Sequence, residues 1–125
     1  MPRTPEDRRA ALERGRAAEQ AVAERLEHEG WELLARNWRG GGGELDLVVL
    51  RGGRLRFVEV KARADDDELL DEAVTPSKRS KLRGAARAWL LQHGMPPEEG
   101  CFLVAQVVRD GASWQITLID DAFDG

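Results

Sequence analysis

Three acidic residues and a lysine stand in the most strand-like stretch of this 125-residue chain. The stretch "GGGGELDLVVLRGGRLRFVEVKAR" runs from Gly40 to Arg63 and sets Glu44, Asp46, Glu59 and Lys61 among Leu, Val and Phe. Acidic residues are poor strand formers, so their presence there needs a reason. Gly52-Gly53 favours a two-residue hairpin turn. That turn sets Asp46 directly opposite Glu59, and Glu44 opposite Lys61. Alternation puts Glu44, Asp46, Val48 and Leu50 on one face, with Phe57, Glu59 and Lys61 on the same face of the partner strand. Opposed residues hold their Cβ atoms about 4.5–5.5 Å apart, where like charges repel. Either one carboxyl keeps its proton or a cation lies between the two. Oxygen-rich sites with few protein ligands suit Mg²⁺ or Mn²⁺. The competing expectation is a solvated edge hairpin in which Glu44 and Lys61 form an ordinary cross-strand ion pair.

A second element brings another carboxylate. "TPEDRRAALERGRAAEQAVAERLEHEG" reads as a helix that Thr4 caps, with Pro5 in the first position and Gly30 as the stop. Its expected core stripe is Leu12, Gly15, Val22 and Leu26, and Glu19 falls in the middle of it. A glutamate in a core stripe is costly unless it is paired or metal-bound. "WELLARNW" reads as a first strand, followed by the glycine run Gly40 to Gly43 and then the hairpin. "ARADDDELLDEA" reads as an exposed loop or lid. "TPSKRSKLRGAARAWLLQHG" is a second helix, capped by Thr75, with Leu82, Ala86, Trp89 and Leu90 on its apolar side. "CFLVAQVV", a turn at Asp110-Gly111 and "WQITLI" form a last strand pair. The order predicts an α/β or α+β domain over residues 1–125, with a mixed sheet of about five strands flanked by helices.

Composition narrows the classes. Apolar residues make up 42% and charged residues 34% of the chain, enough for one core under a charged surface. No apolar run reaches the roughly 20 residues of a membrane span, and the N-terminus lacks the apolar centre of a secretory signal. The single cysteine, Cys101, excludes an internal disulfide and fits a cytoplasmic location. The net charge of −4 hides an uneven distribution. Lys78, Arg79, Lys81, Arg83 and Arg87 crowd the second helix, near an N-terminus that itself attracts phosphate. A nucleic-acid backbone is the partner they suit, against the alternative of a solvated helix face. Trp38, between Arg36 and Arg39, suits either core packing or stacking on an unpaired base. His28 and His93 precede glycines at helix ends, where capping explains them, and they form no zinc pattern with Cys101. The glycine run lacks the Lys-Ser/Thr of a phosphate-cradling loop and more simply lets backbone pass close by.

Asp46, twelve intervening residues and then Glu59-Val60-Lys61 resemble the D…(D/E)-x-K signature of restriction-endonuclease-like nucleases. "GRAAEQAVAERLEHEGWELLARNWR", "GELDLV", "FVEVKAR", "EAVTPSKRSKL" and "DDAF" look like the YraN family, which is similar to archaeal Holliday-junction resolvases. The resemblance covers about Gly15 to Phe123. Two segments depart from it: "ADDDELLD" replaces a Phe-Gly-containing stretch, and "CFLVAQ" replaces an Arg-Phe-Asp-like strand start. The resemblance implies a restriction-endonuclease-like fold and Mg²⁺- or Mn²⁺-dependent hydrolysis of phosphodiester bonds. DNA, branched DNA included, ranks ahead of RNA as substrate, and a homodimer is the assembly such resolvases usually form. It makes Glu19, Asp46, Glu59 and Lys61 the catalytic set. Glu19, Asp46, Glu59 and the Val60 carbonyl would be metal ligands, Lys61 would orient the attacking water, and Glu44 would hold Lys61. Two other expectations compete. One is a nucleic-acid-binding module of the same fold with little or no cleavage; the other is an interaction protein that docks a basic partner on its acidic segment 65–72.

Overall fold

The computed structural model describes residues 4–63, 75–94 and 100–120. The acidic segment 65–72 and the "DDAF" residues beyond Asp120 lie outside them, so the expectations placed there have no structural counterpart.

Helix α1 (Pro5–His28) starts where the caps place it. Thr4 Oγ1 accepts the Asp7 N–H at 3.0 Å, and the Asp7 carboxylate accepts the Thr4 N–H at 3.2 Å. This reciprocal pair satisfies two N–H groups that the first turn leaves without partners. Strands β1 (Glu32–Gly40), β2 (Gly43–Arg51) and β3 (Arg54–Arg63) follow as an antiparallel meander. Helix α2 (Pro76–His93) then carries the chain back to β4 (Gly100–Asp110), which pairs parallel to β3. A parallel pair needs such a crossover. β5 (Ser113–Asp120) closes an antiparallel hairpin with β4 through a turn at Gly111-Ala112, one residue later than expected. The sheet order is β1-β2-β3-β4-β5, a five-stranded mixed sheet with two helices, as the α+β expectation required.

One helix covers each face. Ala18, Val22, Ala23 and Leu26 of α1 pack on Leu47, Val49, Val58, Leu103, Ala105 and Val107. Leu82, Ala85, Ala86 and Trp89 of α2 pack on Leu45, Val48, Leu55, Phe57, Phe102 and Val104. The stripe on α1 differs from the expected one. Leu12 is 62% exposed, and a Cβ on Gly15 would meet nothing within 4 Å. The buried stripe begins only at Ala18, so Glu19 flanks it instead of interrupting it. Trp38 is half-buried and packs against the α2-side core.

The glycine run makes its close approach to α2. Gly41 has φ 58, and a Cβ on Gly84 would sit 2.5 Å from the Gly41 carbonyl oxygen. Two glycines facing each other let the β1–β2 turn lie directly on the helix backbone. That contact fixes how far α2 stands from the start of β2, where Glu44 and Asp46 lie.

A candidate acidic site where two strands part

The hairpin turns at Gly52-Gly53, with both glycines at positive φ (57 and 79), and its register is the one the turn dictates. Arg51 pairs with Arg54, Val48 with Phe57 and Leu47 with Val58. The ladder ends there, one step before Asp46 and Glu59. Beyond that point β2 stays with β1, where Leu45 pairs with Trp38 and Glu44 with Arg39. Between the Leu45–Trp38 and Leu47–Arg36 pairs lies Asn37, the one described non-glycine residue at positive φ (51). The irregular backbone breaks the alternation of β2. Leu45 and Val48 both enter the α2-side core, while Leu47 enters the other. Asp46 is thereby released from a simple face and turned into the gap between β2 and β3.

Its carboxylate takes the place of a missing ladder partner. Asp46 Oδ2 accepts the Val60 N–H at 2.8 Å. Glu59 is 5% exposed, and the Asp46 carboxyl hydrogen-bonds to it. Burial, with the Glu59 charge next, pushes the Asp46 pKa up to about 8, against the Val60 hydrogen bond that favours the anion. With so little water around it, the Asp46 carboxyl keeps its proton at neutral pH. Of the two outcomes the sequence left open, the free protein thus takes the protonated one.

Glu19 joins from the α1 side. Burial raises its pKa above the ordinary value, and the charges of Glu44 and Glu59 add to this, while a hydrogen bond from Asn37 and the charge of Arg36 oppose it. The structure therefore gathers Glu19, Glu44, Asp46 and Glu59 around one sheet opening. Two clefts meet there. One of about 420 Å³ lies under α2 and is lined by Glu44, Asp46, Glu59, Thr75, Ser77, Lys78 and Lys81, among others. The other, of about 480 Å³, lies under α1 and is lined by Arg16, Glu19, Asn37, Arg39, Glu44 and Asp46, among others. Asp46 and Glu44 border both.

The cations are arranged differently from expectation. Glu44 does not face Lys61, because the β2–β3 ladder has already ended; its partner is Arg39 at 3.8 Å. Lys61 pairs with Gln106 of β4, is half-buried and lines neither cleft. The ammonium at the site comes from α2 instead. Lys78 Nζ lies 2.6 Å from Glu59 Oε2. Burial works against its charge, yet the Glu59 hydrogen bond and charge, with Asp46 and Glu44 behind, hold its pKa above the ordinary value. Thr75 positions it: the cap accepts the Lys78 N–H at 3.2 Å and so fixes the first turn of α2. Of the other basic residues on α2, Lys81 lines the same cleft and Arg87 is exposed, while Arg79 and Arg83 are half-buried and have partners of their own.

The donor set suits a hard cation. Asp46 and Glu59 offer carboxylate oxygens on facing strand ends. Among the described residues, no three acidic, histidine or cysteine side chains converge on one point. An ion held here would take two carboxylates and complete its shell with backbone carbonyl and water, the habit of Mg²⁺. The proton on Asp46 is held mainly by burial, and a dication bound there would have to displace it.

Among the described residues, no helix is long and apolar enough to cross a membrane. Residues 18–109 match the model of the uncharacterised protein family UPF0102. A UPF0102 protein of Methylocella silvestris is 45% identical over 91 residues, 73% of each chain. One of Synechococcus sp. is 44% identical over 111 residues, 82% of this chain and 83% of its own. One of Nitratidesulfovibrio vulgaris is 39% identical over 111 residues, 88% of this chain and 83% of its own. The matched span contains Glu19, Asp46, Glu59 and Lys78 together with the sheet that gathers them, and the chain belongs to the UPF0102 family, the YraN family its motifs resemble.

Proposed function

We propose that this chain is a divalent-metal-dependent nuclease that hydrolyses phosphodiester bonds in DNA. The observation that carries it is the Asp46–Glu59 pair at the parting of β2 and β3, a half-buried acid that keeps its proton beside a buried one that a lysine ammonium pairs. A purely structural hairpin gains nothing from such a pair, because like charges in low dielectric destabilise each other.

Asp46 and Glu59 would hold Mg²⁺ or Mn²⁺, with the Val60 carbonyl as a further oxygen and Glu19 reaching in from α1 directly or through water. When bound, the ion supplies a more acidic water and offsets charge that builds on the phosphate. The chain's own residues do the rest. Lys78 and Lys81 hold a backbone phosphate at the mouth of the α2-side cleft, where the Thr75 and Ser77 side chains also lie. We assign to Lys78 the ammonium role that the motif expects of Lys61, because Lys78 is the lysine that touches the carboxylates. Asp46 accepts the Val60 N–H and so stays aimed at the gap whether or not it carries a proton. Positioning and charge complementarity of this sort are the main protein contributions to phosphoryl chemistry.

The test is cleavage of labelled linear, flapped and four-way DNA in Mg²⁺ or Mn²⁺. We expect cleavage that is lost in Asp46→Ala and in Glu59→Ala. Activity that survives either substitution belongs to a contaminant and removes the assignment. One observation favours a second reading, a binding module that cleaves poorly: Lys78 already neutralises Glu59 without a metal. Binding that weakens steeply with salt, with no cleavage on any substrate, would select it.

A further inference from the structure

The Lys78–Glu59 contact has a consequence for the metal that goes beyond the assignment of roles, and it rests on the nuclease reading above. Glu59 is buried and presents Oε2 to Lys78 Nζ at 2.6 Å. Its neighbour Asp46 has its Oδ2 engaged by Val60 and hydrogen-bonds to Glu59 itself. A dication held by this pair would draw on the Glu59 carboxylate that Lys78 now pairs with. It would also bring two positive charges against an ammonium that is itself only half-exposed. Like charges at contact distance in a partly desolvated cleft repel strongly. Lys78 has room to leave, because its side chain is 47% exposed and the cleft mouth is open beside Lys81 and Ser77. We infer that Lys78 and a divalent cation compete for Glu59, so that this lysine is a built-in counter-ion that keeps the metal affinity of the free protein low. Lys78 is here a residue that tunes the site through Glu59, in addition to whatever it contributes to phosphate binding.

The competition predicts an inverted effect of mutation. Removing a lysine that helps to build a metal site leaves affinity unchanged or weakens it. Removing a lysine that occupies the site strengthens it. Mn²⁺ is titrated calorimetrically into the full chain, without nucleic acid, for the wild type, Lys78→Met, Lys78→Gln and Lys78→Arg. Both neutral variants should bind Mn²⁺ about tenfold or more tightly than the wild type, as expected when a competing charge is taken from a buried carboxylate. Lys78→Arg, which keeps the charge, should stay at or above the wild-type Kd. Melting curves give an independent readout. In EDTA the neutral variants should melt below the wild type, since Glu59 loses its partner, and saturating Mn²⁺ should raise their Tm more than it raises the wild type's. Two neutral variants of different polarity guard against one of them folding poorly. Wild-type binding with unchanged or weaker binding in both neutral variants overturns the competition and leaves the nuclease reading standing. Mn²⁺ binding by none of the four proteins overturns both.

Discussion

The proton held on Asp46 makes a prediction that needs no substrate and no metal. Its pKa is raised from 3.8 to about 8 in the folded chain, whereas the unfolded chain releases that proton near the ordinary value. A raised acid contributes stability that is fully present below the unfolded pKa and is lost as pH rises through the folded one. The window runs from about pH 4 to about pH 8, and each pH unit inside it costs about 1.4 kcal/mol. Raising the pH from about 5.5 to about 7.5 should therefore remove a little under 3 kcal/mol from the wild type through this group. Asp46→Asn has nearly the shape of the protonated acid. Its amide oxygen can accept the Val60 N–H and its NH₂ can donate to Glu59, yet it does not titrate. Lys78 is the near cation throughout the window, since the Glu59 hydrogen bond and charge hold its pKa above the ordinary lysine value. Urea unfolding of both proteins in EDTA at several pH values isolates the effect as a difference. The variant should gain on the wild type by most of that figure between the two pH values, and saturating Mn²⁺ should restore the wild type alone. If the two stability curves run parallel across the window, Asp46 holds no proton at neutral pH in the fold, and the two carboxylates stand side by side for another reason.

Two further substitutions test the scaffold around the site. Gly84→Ala places a Cβ about 2.5 Å from the Gly41 carbonyl oxygen, which is backbone and cannot rotate away. It should cost about 1–3 kcal/mol in urea unfolding and weaken Mn²⁺ binding, as the β1–β2 turn is pushed off α2. At the far end of β3, buried Arg56 makes two bonds to Asp120, at 2.7 and 3.2 Å, and one to the Leu55 carbonyl at 3.1 Å. Arg56→Ala should cost about 3 kcal/mol, since it removes packing and strands hydrogen-bond partners, while Mn²⁺ affinity measured below the melting range stays as it was. An Arg56→Ala protein that melts like the wild type would show the ion pair to be idle.

What the sequence made legible follows from how locally each feature is set. A Gly-Gly turn fixes hairpin register within a few residues, so the pairs from Arg51–Arg54 to Leu47–Val58, which bring Asp46 close to Glu59, followed from counting. Both helix starts followed from Thr-Pro caps, for the same reason. The end of the β2–β3 ladder was not legible. Near that point β1 carries Asn37 in a left-handed backbone, which its sequence does not announce. With the ladder cut short, Glu44 passed to Arg39 and the expected pairing with Lys61 had no geometry to support it. The α1 stripe was misplaced by extending a helical period past the edge of the sheet, which periodicity alone cannot locate. Lys78 is the instructive case. Placed by its cap in the first turn of α2, it puts a positive charge at the positive end of a helix dipole, in a turn that carries no acid. That is a local cost written openly in "TPSKRSK", whereas the α1 start in "TPEDRR" obeys the opposite rule. A sequence that sets a charge against the dipole at one helix start while following it at the other is marking a charge needed elsewhere. The 2.6 Å contact to buried Glu59 shows where.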